Sequence, residues 1–324
     1  MDNNIVKTPL LETVDLQKYF KIGKNSYLHA VDGINLKLHA GETIGVVGES
    51  GCGKSTLGRT ILKLIEPTGG KIIYDGQDIT NYKAGKMHPL RKEMQIIFQD
   101  PYSSLPPRST VGGILSEPVE VHKIVPKDQV KNYVLELMDK CGLRDYYYER
   151  YPHEFSGGQR QRIGIARSLV TNPEFVVCDE PVSALDVSIQ AQVINMFDEL
   201  QREMGLTYLF IAHDLLVVRH ISDRIAVMYL GKLVELADAK EIYDHPLHPY
   251  SKSLMSAVPV PDPKVARANQ RVVLHGDIPS PLNAPSGCPF RTRCPHACDV
   301  CAERMPELKE LSSGHFVACH RAEE

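Results

Sequence analysis

At 324 residues the chain is longer than one typical hydrophobic core serves, which predicts about two domains. Its 37 Lys and Arg residues against 40 Asp and Glu leave a formal net charge of -3, which argues against a general nucleic-acid or anionic-membrane surface. No apolar run approaches the ~20 residues needed to span a bilayer, and Met1-Asp2-Asn3-Asn4 carries neither the basic nor the apolar part of an export signal, so a cytosolic setting is expected.

Taken in chain order, residues 10–38 read as short strands with turns at Gly23-Lys24-Asn25 and Asp32-Gly33, a small antiparallel sheet. Thr43-Ile44-Gly45-Val46-Val47 is an apolar run suited to a buried parallel strand, followed by a glycine loop and a helix over about 54–64. Residues 94–98 predict a further strand, ending at Gln99. The stretch 111–170 is polar and helical, and marks an inserted helical subdomain over about 105–170. Strand character returns in Phe175-Val176-Val177-Cys178, in 207–211 and in 224–229, so the core reads as α/β. Beyond residue 257, Pro259, Pro261 and Pro263, and the proline-rich stretch 278–285, predict an extended, poorly regular tail and a second, smaller domain.

The glycine loop carries the first chemistry. Gly48-Glu49-Ser50-Gly51-Cys52-Gly53-Lys54-Ser55 fits G-x-x-x-x-G-K-[ST], in which backbone N–H groups and the lysine cradle a nucleotide's phosphates. Lys54 is placed to reach the β- and γ-phosphates and the Ser55 hydroxyl to ligate Mg²⁺, because both open a helix at its positive end. Asp179 closes a buried apolar strand with a carboxylate suited to the same magnesium, and Glu180, next in sequence, is suited to take a proton from water attacking the γ-phosphate. Gln99 and His213 also stand at strand ends. The first suits contact with the magnesium or the water, the second a hydrogen bond to the γ-phosphate. A lone strand-end histidine is more often structural, so these two gain meaning from the set.

Five of the eight cysteines, Cys288, Cys294, Cys298, Cys301 and Cys319, crowd into 32 residues of the tail. In a reducing compartment such density argues for metal over disulfides. Four thiolates bind Zn²⁺ or an iron–sulfur cluster; zinc sites usually show two C-x₂-C knuckles, and here only Cys298 and Cys301 form one.

The glycine loop, Gln99, Ser156-Gly157-Gly158-Gln159, Asp179-Glu180, Ser183-Ala184-Leu185-Asp186 and His213, in that order, resemble the nucleotide-binding subunits of ABC transporters. The later run His245-Pro246-Leu247-His248-Pro249-Tyr250, Gly276-Asp277-Ile278-Pro279-Ser280-Pro281 and Gly287-Cys288-Pro289-Phe290 is similar to the oligopeptide/dipeptide-permease ATPases and their nickel-uptake relatives. The resemblance implies a P-loop ATPase core with a mixed or parallel sheet, an antiparallel β subdomain and a helical subdomain. A nucleotide-binding domain at 1–257 and a small irregular Cys-rich extension at 258–324 complete the expected organisation.

It further implies ATP and Mg²⁺ as ligands, with residues 48–56 including Thr56, Asp179 and Asp186 around the nucleotide. The adenine-stacking aromatic falls on Phe20, with neighbouring Tyr19 the other candidate. Ser156, Gly157, Gly158 and Gln159 would serve the nucleotide of a partner ATPase, a related subunit or a second copy, in a head-to-tail dimer. Gln99 and the following loop, 100–105, would receive helices of two membrane-spanning permease subunits, and an external substrate-binding protein would complete the assembly, without nucleic acid. In the tail the resemblance implies a [4Fe–4S] cluster on Cys288, Cys294, Cys301 and Cys319, with Cys298 extra. Its role would be structural or regulatory, since ATP hydrolysis moves no electrons.

The expected function is ATP-driven import of di- and oligopeptides from the cytoplasmic face of the membrane. Nickel or another small solute is the rival cargo, because cargo does not touch this subunit. A soluble ATPase of the same superfamily acting on ribosomes or DNA is the rival of another class; such proteins usually carry two cassettes or a long coiled-coil insertion, and neither is present.

Overall fold

Twelve strands account for most of the buried apolar runs in the computed structural model, which describes residues 8–24, 26–258, 274 and 276–322. They are β1 Leu11–Lys21, β2 Tyr27–Leu38, β3 Thr43–Val47, β4 Gly69–Tyr74, β5 Gln77–Asp78, β6 Met94–Ile97, β7 Phe175–Asp179, β8 Thr207–Ile211, β9 Arg224–Tyr229, β10 Lys232–Asp238, β11 Lys309–Ser312 and β12 His315–Val317. Met1-Asp2-Asn3-Asn4, Asn25 of the first predicted turn and residues 259–263 of the proline-rich stretch lie outside the described residues. Contacts divide the described chain into two compact units, one holding Leu38–Glu42 and Asn81–Ile211, the other Pro9–Lys37, Thr43–Thr80 and 212–322.

The unit built on Asn81–Ile211 holds the parallel strands β6, β7 and β8 in the order β8-β7-β6. All five residues of β7 and of β8 are buried, as expected of strands covered on both faces. Register sets their ends: Ile97 pairs with Cys178, and Asp179 with Ile211. The predicted helical block resolves into three main helices, Val111–His122, Val130–Lys140 and Gly157–Leu169, joined by short turns. Their inward faces follow the helical period; Val130, Val134, Leu137 and Met138 are buried at i, i+4, i+7 and i+8. Each such side chain contributes roughly 1.5–3 kcal/mol on burial. The Thr110 hydroxyl opens the first helix by accepting from the Gly113 N–H at 3.2 Å.

In the other unit β1 pairs antiparallel with β4, and β4 with β5, in a four-stranded sheet ordered β2-β1-β4-β5. A second run, β11-β12-β10-β9-β3, is parallel only between β3 and β9. The α/β class with mixed sheets, an antiparallel β part and a helical part is therefore as expected.

Four expectations need correction. Asp32-Gly33 is no turn: the chain runs straight through it in β2, Gly33 absorbing a local kink at φ +76° while the Asp32 N–H donates to Gly231 O at 2.9 Å. The helix after the glycine loop ends at Ile61, because Lys63 turns to φ +53° and its buried ammonium bonds the Thr80 carbonyl and the Glu66 carboxylate. Strands β4, β5 and β10 lie where no strand was expected. Finally, the described end of the tail is more regular than its composition predicted, since β11 and β12 form a hairpin that pairs Val317 with Glu235 and Phe316 with Leu236 on β10.

Candidate functional site

The glycine loop follows β3 and opens the helix Lys54–Ile61. Gly53, the cap residue, has φ +108°, and a Cβ there would lie 1.9 Å from the Ala30 carbonyl oxygen; at Gly48, φ +151°, it would lie 2.2 Å from Met228 O. Both positions therefore need glycine. Gly51 is exposed, and a side chain there would meet nothing within 4 Å, so this part of the loop is open to a ligand. Lys54 is buried apart from its reach over the loop, where its ammonium donates to Gly48 O at 2.7 Å and Glu49 O at 3.1 Å. The first amides of the helix, at Lys54, Ser55 and Thr56, have no intrahelical acceptor, which suits them to an anion. Ser55 and Thr56 are half-buried and Ser50 is exposed. Cys52 is buried beneath the loop, and burial pushes its thiol pKa up, so its part is packing.

Glu49 is held at three points. Its N–H donates to the Tyr250 hydroxyl at 2.8 Å, its carbonyl accepts from Lys54, and its carboxylate takes both arms of the Arg293 guanidinium at 2.8 and 3.0 Å. Neither Tyr250 nor Arg293 was singled out for a role from sequence, and their separations of 201 and 244 residues from Glu49 leave no local signal for it.

Phe20 and Tyr19 sit near the end of β1, half-buried. Tyr19 is engaged on both sides: its ring stacks on His29 at 3.9 Å between centroids, and its hydroxyl donates to Asp32 at 2.5 Å. Burial and that hydrogen bond hold the phenol pKa well above its usual value. Burial alone would raise the Asp32 carboxyl, but hydrogen bonds from Lys232, at 2.7 Å, and Tyr19 outweigh it and hold the pKa low. The Lys18 ammonium lies over the Phe20 ring, 4.9 Å from its centre.

In the other unit, Asp179 is buried at the end of β7 and Glu180 stands half-buried one residue beyond. With Ile97 opposite Cys178, two further residues on each strand bring Gln99 opposite Glu180. The Gln99 amide donates to the Glu180 carboxylate at 2.7 Å, so two predicted catalytic residues 81 positions apart are in direct contact. Glu180 adopts φ +49°, a conformation costing a non-glycine residue about 1 kcal/mol; its N–H donates to Ile211 O at 2.9 Å. His213 is exposed just after β8, and the adjacent Asp214 caps the next helix by accepting from Leu216 N–H at 2.9 Å.

Ser156 begins the helix Gly157–Leu169 through a reciprocal cap: Gln159 N–H donates to Ser156 Oγ at 3.4 Å and Ser156 N–H to Gln159 Oε1 at 3.0 Å. Ser156 and Gly157 are exposed, and no atom lies within 4 Å of where a Gly157 Cβ would be. With the Ser156 and Gln159 N–H groups held in the cap, the Gly157 and Gly158 N–H groups are the ones at this end of a long helix without an intrahelical acceptor, which suits them to phosphate. Arg160 stacks its guanidinium 3.7 Å over the Tyr102 ring, which joins this helix to the loop after Gln99. Asp186 is exposed and begins the helix Val187–Met204 without a side-chain cap.

The tail thiols are gathered. Cys288 and Cys301 are buried, Cys294 and Cys319 half-buried and Cys298 exposed. Cys288 N–H donates to Cys301 O at 2.8 Å, and the Cys298 and Cys301 sulfurs are 3.5 Å apart. Burial pushes the Cys288 thiol pKa up to about 11 and raises Cys294, Cys301 and Cys319; the mutual charges of these thiols add to the rise. Even so, among the described residues no three His, Cys, Asp or Glu side chains converge closely enough to share a metal ion.

Phosphate loops and strand-end carboxylates occur in many nucleotide hydrolases; the Ser156-Gly157-Gly158-Gln159 run at a helix start is the feature by which this chain resembles the ATP-binding cassettes. The ABC transporter family profile matches residues 31–183, and the profile of the oligopeptide/dipeptide transporter C-terminal region matches 234–301. The chain is 54% identical over 318 residues to the oligopeptide transport ATP-binding protein AppF of Bacillus subtilis, covering 96% of this chain and 97% of that protein. It is 54% identical over 319 residues to OppF of Salmonella typhimurium, covering 96% and 95%. Among solved structures it is similar to cbiO1 of Clostridium perfringens, part of the cbiONQ ABC transporter complex, with TM-score 0.66 and 28% identity over 74% of this chain and 92% of that one. The dimeric cassette MJ0796 bound to ADP and Pi gives TM-score 0.65 and 26% identity over 71% and 98%. The chain belongs to the oligopeptide-transport family of ABC-transporter ATP-binding proteins.

No helix among the described residues is long and apolar enough to cross a membrane.

Proposed function

We propose that the chain is the ATP-hydrolysing subunit of a bacterial ABC importer of di- and oligopeptides, working in a head-to-tail ATPase dimer at the cytoplasmic face of the membrane. The hydrogen bond from Gln99 to Glu180 carries the hydrolytic reading, because it orients a carboxylate at a strand end where a base is needed. Near full-length identity to oligopeptide transport ATP-binding proteins supports the cargo.

In this reading Lys54 and the amides of residues 50–56 hold the phosphates, and Phe20 stacks on the adenine. Phe20 is preferred to Tyr19 because His29 already covers the Tyr19 ring. Ser55, Asp179 and Gln99 are the residues that would hold Mg²⁺, which when bound neutralises charge on the β- and γ-phosphates. Glu180 accepts a proton from water as the water oxygen bonds to the γ-phosphorus and the bond to the bridging oxygen breaks, releasing ADP and phosphate. His213 donates to the γ-phosphate. Ser156 offers its hydroxyl and Gly157 and Gly158 their amides to the partner subunit's nucleotide, with Gln159 completing the motif and Asp186 beside the closing interface. The loop 100–105 takes the permease helices, two permease subunits and an external substrate-binding protein completing the assembly. Residues 258–324 form the peptide-permease-type extension of the nucleotide-binding domain, 1–257.

Cys288, Cys294, Cys301 and Cys319 would supply four thiolates to a [4Fe–4S] cluster, a structural group through which no hydrolytic step runs. The charges of these thiols act on one another, which supports a shared neighbourhood, but no three of the described side chains converge on one point, so a cluster would require the thiols to close further. Iron and acid-labile sulfide in anaerobically purified protein are expected, and zinc without sulfide would overturn the assignment.

The catalytic reading is tested with Glu180→Gln in the assembled transporter. Turnover should fall by about 10²–10⁴-fold while ATP binding persists. Undiminished hydrolysis would exclude Glu180 as the base.

A further inference from the structure

Arg293 belongs to the cysteine-rich extension, one residue before Cys294, yet its guanidinium is spent on the glycine loop. Both ends of this contact are built. Arg293 is 8% exposed at its side chain and Glu49 23%, and the two oxygens of the carboxylate each take one arm of the fork. Behind the arginine, its N–H donates to Phe290 O at 3.0 Å, and the fully buried Phe290 ring packs edge-on against Tyr229 at 5.3 Å and tilted on Tyr250 at 5.5 Å. Tyr250 in turn accepts from the Glu49 N–H. One aromatic cluster therefore seats both the arginine and the hydroxyl that grip Glu49. The carbonyl of the same residue meets Lys54, so a displacement of Glu49 is passed directly to the phosphate-binding lysine.

The geometry points to Arg293 as a positioning residue for ATP: the extension fixes the backbone of the phosphate loop, through Glu49, in the form that receives the triphosphate. This rests on the reading of Gly48–Ser55 as the ATP loop. It assigns the extension a part in nucleotide affinity that follows from its fold, whatever its thiols hold. A fork anchored in an aromatic box costs little ordering entropy on use, whereas a lysine in its place makes one flexible contact.

The test uses the assembled transporter and separates affinity from turnover. ATP binding is measured with a fluorescent ATP analogue and steady-state hydrolysis is measured alongside, for the wild type, Arg293→Ala, Arg293→Lys, Glu49→Gln and the double variant Glu49→Gln/Arg293→Ala. KM for ATP should rise about tenfold in Arg293→Ala and in Glu49→Gln, and in Arg293→Ala, which lies outside the nucleotide loop, kcat at saturating ATP should stay within about twofold of wild type. Arg293→Lys should fall between. The double variant should be no worse than the poorer single, because both remove one contact. If Arg293→Ala fails to assemble, Arg293→Lys and the isosteric Glu49→Gln carry the measurement. Unchanged KM in those two, or additive losses in the double variant, would overturn the positioning role while leaving the loop's identity intact. Failure of the wild type itself to bind ATP would overturn both.

Discussion

Gln99 lends itself to a graded perturbation because its contact with Glu180 is short and specific. The amide nitrogen lies 2.7 Å from the carboxylate oxygen. Gln99→Asn withdraws the donor by about one C–C bond, ~1.5 Å, which carries it past the range of a hydrogen bond. Gln99→Ala removes it outright. A hydrogen bond to a charged group contributes roughly 1.5–3 kcal/mol when sheltered; with Gln99 exposed, about 1 kcal/mol is the fitting magnitude, or about fivefold in kcat. Asn and Ala should thus behave alike. Gln99→Glu instead opposes two carboxylates at ~3 Å, which in a water-like dielectric costs about 1.4 kcal/mol. That repulsion favours the protonated pair, so the acidic limb of its pH–rate profile should move up by about one pH unit. ATPase rates across pH 5–9 for all four proteins provide the assay. A wild-type rate in Gln99→Asn, or an unmoved acidic limb in Gln99→Glu, would refute the view that Gln99 orients the base.

Two further outcomes follow from the same structure. Phe20→Ala should raise KM for ATP about tenfold through lost stacking, whereas Tyr19→Phe, which keeps the ring and loses the bond to Asp32, should lower Tm with KM unchanged; an unchanged KM in Phe20→Ala would take the adenine site away from Phe20. Burial depresses His248 to about 4 despite the Glu235 carboxylate, with Lys252 adding to the depression. The unfolded chain therefore binds the extra proton between about pH 6.5 and pH 4. Stability that is full above pH 6.5 is lost as pH falls through that window, with a ceiling of about 3 kcal/mol from this group. His248→Asn, which retains a side-chain acceptor for the Tyr250 N–H, should flatten the fall in Tm from pH 7 to pH 4.5, and parallel curves would refute the assignment.

What local sequence determined is what a short segment can decide by itself. A continuous apolar run has no polar face to leave in water, so β3, β8 and β9 run over the residues expected of them. The glycine loop is legible because its three special positions, Gly48, Gly51 and Gly53, all need positive φ within six residues. Asp179 falls at a strand end for the same reason, since it is read from its immediate neighbours.

Only the tertiary structure decided which distant groups meet. Gln99 faces Glu180 because β6 and β7 pair in one register; a slip of one residue would turn each side chain to the opposite face. Asp32-Gly33 carries turn residues but stays extended, held by a carbonyl from Gly231 nearly two hundred positions away. The tail's proline and cysteine content spoke for irregularity, yet its last strands gain a ladder from β10. Arg293 reaches Glu49 for the same physical reason. Contacts between remote segments depend on loop closure and shared packing, and neither leaves a mark in the residues on either side.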